Sequence, residues 1–390
     1  MELMTDYQYS KLYTLDEIRW ARDKYLESFQ QDNLVDYIRR EKIKRMKEVP
    51  TPLFGFEESL FSQFDMHPND MEFEVVFAES RDQLKEFFQL LEITSSQLIE
   101  QSIPGRSLKI LVREKKTNTI FGFIRIGSPV INMKPRNVIL NTQDYTQNPG
   151  LQLFNDRSYL GQIIVPAQPA GFNYAAGKLL SLVCVSHEVR QKFNEKYGVD
   201  IVLFETTSLY GSIKAHSQYD GLKPFIRKGG QTESVFMPAM QKDYYIPLRN
   251  WFEERLGDHL LDPEIPSSRK MKIQRRMESI ILNVLKENGQ LEEAKEWSQA
   301  LKGIQNRMTT QKNYYYSTMG FENSLDYIMS RDSEKKPAEN WDRFYLYNLI
   351  EWWRNKAANR YEKLKSDDRL RTKLEVWTDK DIQKEVDIVR

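Results

Sequence analysis

The chain is poor in the residues that carry metal and redox chemistry. It holds one cysteine, Cys184, and four histidines in 390 residues. A single cysteine excludes an internal disulfide and any cysteine-cluster metal site, and it fits a reducing compartment. The histidines show no HxxxH or H-x-E spacing, so no structural zinc and no other metal is expected. Charge of one sign is lacking too: 57 basic and 56 acidic side chains leave a net charge of +1. That balance neither demands nor excludes nucleic acid, because a local basic stripe matters more than the total. No apolar run approaches the roughly 20 residues that a bilayer requires. The first residues, with Glu2 and Asp6, do not read as a signal peptide. The expectation is a soluble, cytoplasmic protein with no membrane partner.

Apolar residues are plentiful: 40% of the chain, with 20 Phe, 20 Tyr and 7 Trp. That is enough for a sizeable core. Three regions separate by composition, at 1–70, 71–250 and 251–390. The first reads as charged amphipathic helix, with Leu15, Ile18, Tyr25, Leu26 and Phe29 near helical spacing and Thr14 as its N-cap. Trp20 lies off that stripe, and Pro50 and Pro52 mark a linker. The middle region alternates strands and helices. "EFEVVFA" (72–78) reads as a strand, and residues 80–94 as a helix capped by Ser80. Runs at 108–113 and 120–126 flank "KKTNT" as a hairpin. Strands follow at 158–165 and 199–207, with one long helix between them that Gly198 closes. Strand, crossover helix, strand implies a parallel pair. Beyond 250 the chain reads as charged helix. Trp353 continues a stripe with Leu346, Leu349 and Ile350, which indicates core, and residues 330–340 form a polar joint.

The stretch "VPAQPAGFNYAAGKLLSLV" (165–183) carries an apolar strand into a loop rich in Pro, Gly and Ala, and then into a small-residue helix. A phosphate-binding turn needs close backbone approach, outward N–H groups and a helix start. Gln168 to Asn173, followed by a helix from about Tyr174, offers these, with Gly171 free of side-chain bulk. It is not a Walker loop, because Leu179 follows Gly177-Lys178 where Ser or Thr would hold magnesium. A tight turn that packs a helix on a sheet explains the same residues.

The order of hairpin, loop-bearing strand, long helix, strand and "SLYGSIKAHSQYDGLKPF" resembles the GNAT acetyltransferase fold. The segments "FGFIRIGSPVINMKPRN", "NDRSYLGQIIVP", "AAGKLLSLV", "EKYGVDIVLFETTS" and "YGSIKAHSQYDGL" narrow this. Over about 108–250 they look like the DruA-like family of Druantia anti-phage systems, itself similar to phage Mom-type DNA-modification acyltransferases. The resemblance implies an α+β fold, a GNAT-like mixed β-sheet core with helical N-terminal and C-terminal extensions. It also implies acetyl-CoA or another acyl-CoA as cofactor, with its pyrophosphate on Val165, Gln168, Gly171, Phe172, Asn173, Ala175 and Gly177.

Glu205, at the carboxyl end of its strand, can act as base toward an attacking amine or simply anchor the following loop. Glu205 with Gly211-Ser212 matches the family's acidic strand end and Gly-Thr. Tyr219 would protonate a departing thiolate, as tyrosines near this place do in acetyltransferases, or fill the gap between helix and sheet. His216 can shuttle a proton or hold its own loop. His187, between Ser186 and Glu188, reads as exposed. Lys134, Arg136, Arg227, Lys228 and the run Arg269, Lys270, Lys272, Arg275 and Arg276 are candidates for nucleic-acid phosphates, joined by the aromatics at 314–316 and 351–353. Solvated helix faces and core packing explain the same residues.

Two functions follow. One is a nucleic-acid-directed protein of phage–host conflict or DNA modification that transfers an acyl group to a base. The other keeps the fold without catalysis: a nucleic-acid-binding sensor or adaptor, probing DNA beside a protein partner in a defense or phage system. Acylation of a protein or a small amine is a third and lesser one.

Overall fold

The computed structural model describes residues 8–30, 34–48, 55–95, 105–142, 150–208, 217–232, 240–257, 270–308 and 311–377. Two compact units divide the chain: Met1–Glu41 with Ser234–Thr310, and Lys42–Glu233 with Gln311–Arg390. These units do not follow the boundaries expected at 70 and 250. The reason is local: the chain after 310 returns to the sheet, while the segment before it packs among helices.

In chain order the helical unit holds α1 (Leu15–Glu27), the start of α2 (Leu34–Glu48), α9 (Lys242–Leu256), α10 (Lys270–Glu287) and α11 (Leu291–Met308). Thr14 caps α1 in a reciprocal box with Glu17, so two N–H groups without helical partners are satisfied at once. The apolar stripe Ile18, Ala21 and Tyr25 then faces Met277, Ile280, Ile281 and Trp297 in one buried cluster. Tyr25 meets Trp297 edge-on, ring centres 5.2 Å apart. Trp20, off the stripe, is exposed.

The second unit is built on a seven-stranded sheet: β1 (Phe73–Phe77), β2 (Ser107–Glu114), β3 (Thr119–Gly127), β4 (Ser158–Pro166), β5 (Leu203–Ser208), β6 (Arg227–Gln231) and β7 (Asn313–Ser317), in the order β1-β2-β3-β4-β5-β7-β6. Neighbours are antiparallel except β4 and β5, which run parallel. The fold is α+β, as expected. Its helices are α3 (Arg81–Thr94), α4 (Lys134–Ile139), α5 (Gly150–Arg157), α6 (Ala170–Tyr174), α7 (Ala176–Val183), α8 (His187–Tyr197), α12 (Ser324–Ile328) and α13 (Leu346–Ser366). Ser80 caps α3 in a box with Gln83, and Gly198 closes α8 in the left-handed conformation, where glycine lacks the Cβ penalty.

Three expectations need correction. The long helix expected from about Tyr174 is two helices, α7 and α8, and most of the loop expected at Gln168 to Asn173 is itself the short helix α6. Ala175 sits at φ +53°, ψ +41° between α6 and α7, and the Trp353 indole N–H donates to the Tyr174 and Ala175 carbonyls at that break, the second of which also accepts the Lys178 N–H. Ser186 then caps α8 afresh through the Val189 N–H. Second, the region beyond 250 is not all helical. "NYYYS" forms β7, wedged between β5 and β6, with Tyr314 and Tyr315 buried. Those two rings are core, not a stacking surface. Third, His187 is buried at the start of α8, its ring stacked 3.9 Å from that of Trp341.

The close fit of α7 on the sheet comes from a strand glycine. Leu180 lies 2.5 Å from where a Cβ on Gly122 would sit, so any side chain on β3 there would lift the helix. Trp353 is fully buried on α13, as its stripe indicates.

Candidate functional site

Strands β4 and β5 pair only from Ser158↔Leu203 to Gly161↔Thr206. Beyond that β4 continues along β3 while β5 continues along β7. An extra residue in β4, Gln162, interrupts its register with β3, and such a bulge bends the strand. The two parallel strands therefore part toward the loop that follows β4. Their gap is filled by the chain itself: the Gln218 amide donates to the Ile164 carbonyl at 3.2 Å, and Thr206 Oγ1 to the Gly161 carbonyl at 3.0 Å. Tyr219 is buried beside them, its hydroxyl 3.4 Å from Thr206 Oγ1 and its ring 5.0 Å from that of Tyr315. Burial pushes its phenol up to about 12.

The loop at 165–177 departs from a phosphate cradle in three ways. Two of its N–H groups are already bonded: that of Gly171 to the Ala167 carbonyl at 3.0 Å, and that of Asn173 to the Pro169 carbonyl at 2.8 Å. Its glycines are covered. The Gln168 amide lies 2.2 Å from where a Cβ on Gly171 would sit, and the Gln218 side chain 2.3 Å from that on Gly177. Finally, the segment after α13 runs over it. Asn173, fully buried, exchanges hydrogen bonds with the Arg371 backbone at 2.8 and 3.1 Å, and the Glu375 N–H donates to the Gln168 carbonyl. That segment ends in Trp377, buried, with its backbone N–H on the Ile93 carbonyl and its indole N–H on the Ser95 carbonyl. Phe172 carries two guanidinium groups over its ring, Arg371 at 3.9 Å and Arg360 at 5.1 Å. Val165 and Ala175 remain partly exposed. These residues do not fit a diphosphate, because no outward N–H is offered by Gly171 or Asn173.

Glu205 is the third residue of β5, not its carboxyl end. It is fully buried and receives a 2.8 Å ion-pair hydrogen bond from Arg136 and a 3.3 Å bond from the Tyr314 hydroxyl. Burial raises its carboxyl above the usual range, against the pull of Arg136. Arg136 is likewise buried, over the Phe154 ring at 4.1 Å and bonded to the Ile131 carbonyl. It turns inward and does not face a phosphate. His216, Gly211-Ser212 and Arg269 lie outside the described residues.

The other basic candidates fall into two places. In the sheet unit α4 packs on β6, Pro135 lying 3.4 Å from a Cβ position on Gly230, and Lys134, Arg227 and Lys228 on these two elements are exposed. Arg227 also lines a cavity of about 280 Å³ with Tyr316, Asn323, Asp326, Asn340 and Phe344. In the helical unit Lys272 and Arg275 point outward from α10. Arg276 instead bonds the Tyr9 hydroxyl, and Lys270 lies over the Tyr245 ring. The stripe is thus half solvated and half packing. Reading the sequence also missed Arg360, Arg369, Arg371 and Trp377. Eight Lys or Arg against three acids between 354 and 373 was the available signal.

Among the described residues no group of His, Cys, Asp or Glu is placed to hold a metal ion, and no helix is long and apolar enough to cross a membrane. Residues 27–219 match the model of the family described as Druantia protein DruA, just under half of the chain. Over that stretch the chain is DruA-like. The DruA-like stretch starts well before residue 108, in α1, and ends at Tyr219, so β6, β7 and the helices from α9 onward lie beyond it. No curated protein and no solved structure matched the chain.

Proposed function

We propose that this chain is a non-catalytic, nucleic-acid-binding component of an anti-phage defense system. The DruA-like match supports the defense context. A loop-bearing strand, helical crossover and parallel strand that then part support a GNAT-like, Mom-like ancestry for the sheet. One observation carries the non-catalytic reading: the Gly171 and Asn173 N–H groups already serve the chain's own carbonyls, under a cover formed by Arg371 to Glu375. The base candidate Glu205 is closed in by Arg136 and Tyr314, so it has no route to an acceptor amine. A sensor or adaptor needs neither group, only exposed cations such as Lys134, Arg227, Lys228, Lys272 and Arg275 that replace counterions on phosphates.

Calorimetry with acetyl-CoA tests the first half. No heat beyond dilution is expected. Micromolar binding that disappears in Gly171→Trp would restore the acyltransfer reading. Binding to a labelled DNA duplex, measured across a salt series, tests the second half: affinity should fall steeply with salt, and a flat profile would remove nucleic acid as the partner.

A further inference from the structure

Helix α13 holds Lys356, Arg360 and Lys363 at i, i+4 and i+7, which is one face of a helix. All three are exposed. After Ser366 the chain turns back, with the Arg369 N–H on the Leu364 carbonyl, and brings exposed Arg369 and Arg371 beside that face. The return is fixed by the paired Asn173–Arg371 bonds. Two guanidinium groups therefore share one ring, that of Phe172, and Arg360 Nε donates to the Phe172 carbonyl at 2.5 Å.

The acids nearby offset part of this charge, and Arg371 is itself paired with one of them. Glu375 pairs with Arg371, Glu362 with His67, and Glu351 with Arg354, while Asp367 and Asp368 occupy the turn itself. Burial, and after it repulsion from Arg369 and Arg371, lowers the Arg360 guanidinium below its usual range. Lys178, at the start of α7, is lowered by burial and by Lys356 and Arg360, against Asp220. A cluster of like charges held together by backbone bonds is stabilised by a polyanion. From Lys356 to Lys363 the helix rises about 10 Å, the axial span of about three phosphates on one strand at roughly 3.4 Å each.

We infer that Lys356, Arg360, Lys363, Arg369 and Arg371 form a track for the phosphate backbone of a nucleic-acid strand, running past Phe172. This rests on the nucleic-acid reading above and gives it a surface that the sequence did not single out. The ring and the loop beneath it thus serve as a platform for arginines instead of a cradle for a cofactor. Sequence preference is not expected from such contacts, which position a strand but do not read bases.

The test uses the full chain with a 30-base-pair labelled DNA duplex, and the corresponding single strand, over a salt series. In Arg360→Ala/Arg369→Ala/Arg371→Ala the log–log salt slope should fall by about 2 to 3, since each lost phosphate contact removes about 0.9 on duplex and about 0.7 on single strands. Affinity at moderate salt should fall more than tenfold. The Arg→Lys triple variant should keep most of the slope. Because Arg360 and Arg371 also pack on Phe172, Lys356→Ala/Arg369→Ala serves as a second variant, expected to lose about 1 to 2 in slope. Binding by the native chain with both variants unchanged in slope overturns the track and leaves the proposed function standing. Absence of binding by the native chain overturns the proposed function, and the track with it.

Discussion

The Arg136 guanidinium donates to Glu205 Oε1 at 2.8 Å, and neither side chain reaches solvent. One was a candidate for phosphate binding and the other for proton abstraction. Each now satisfies the other inside the sheet unit, with Tyr314 closing the remaining carboxylate oxygen.

Removing one partner leaves a buried charge without compensation, which costs about 3–5 kcal/mol. Arg136→Met or Glu205→Leu alone should therefore lower the denaturation midpoint strongly. The double variant should recover most of the loss, since an apolar pair of similar volume is often neutral or better. Urea unfolding of the four proteins gives the cycle. Additive losses in the double variant would mean that the two side chains are stabilised independently.

The cover over the loop depends on its last anchor. Trp377 is buried among Phe87, Leu90, Leu91 and Ile93, with both its N–H groups bonded to the end of α3. Trp377→Ala should cost about 3–5 kcal/mol within this cluster. It should also loosen the Glu375–Gln168 and Arg371–Asn173 bonds upstream. Hydrogen exchange read at 168–174 should then rise well above that of the β2–β3 hairpin. Equal protection in the two segments would show that the loop is closed by α13 alone. Acetyl-CoA should still not bind, because the Gly171 and Asn173 N–H groups stay within their own turn.

Local signals were legible in the sequence and distant ones were not. Thr14, Ser80 and Gly198 mark helix ends by chemistry confined to four residues, and each stands at its expected place. The hairpin and the parallel β4–β5 pair follow from strands separated by a turn or one crossover. β7 did not, because it inserts between strands whose own residues lie more than 80 positions upstream. The loop shows the same limit. Its residues specify a turn before a helix, but what covers it comes from 371–377, about 200 positions later. His187 was read from its polar neighbours, while Trp341 and Phe344, which bury it, come from a segment read only as helix.

That histidine makes stability depend on pH. Its Nε2 meets the Trp341 carbonyl at 3.0 Å, so the neutral ring carries its proton there, and Nδ1 is buried with no hydrogen-bond partner among the described residues. Burial lowers the imidazole to about 4, helped by Arg190 and opposed by the Trp341 carbonyl and Asp342. An unfolded chain binds the proton near 6.5, so between these values it holds more protons than the folded one. The stabilisation is then complete above about pH 6.5 and is lost as pH falls toward 4, on the order of 3 kcal/mol in all. His187→Phe keeps a ring against Trp341 but cannot titrate. Its melting temperature at pH 7 should be lower than that of the native chain, for want of the bond to Trp341. Its decline from pH 7 to 5 should be shallower. Parallel declines in the two proteins would show that the ring is protonated without opening the structure, and that the buried Nδ1 finds a partner when charged.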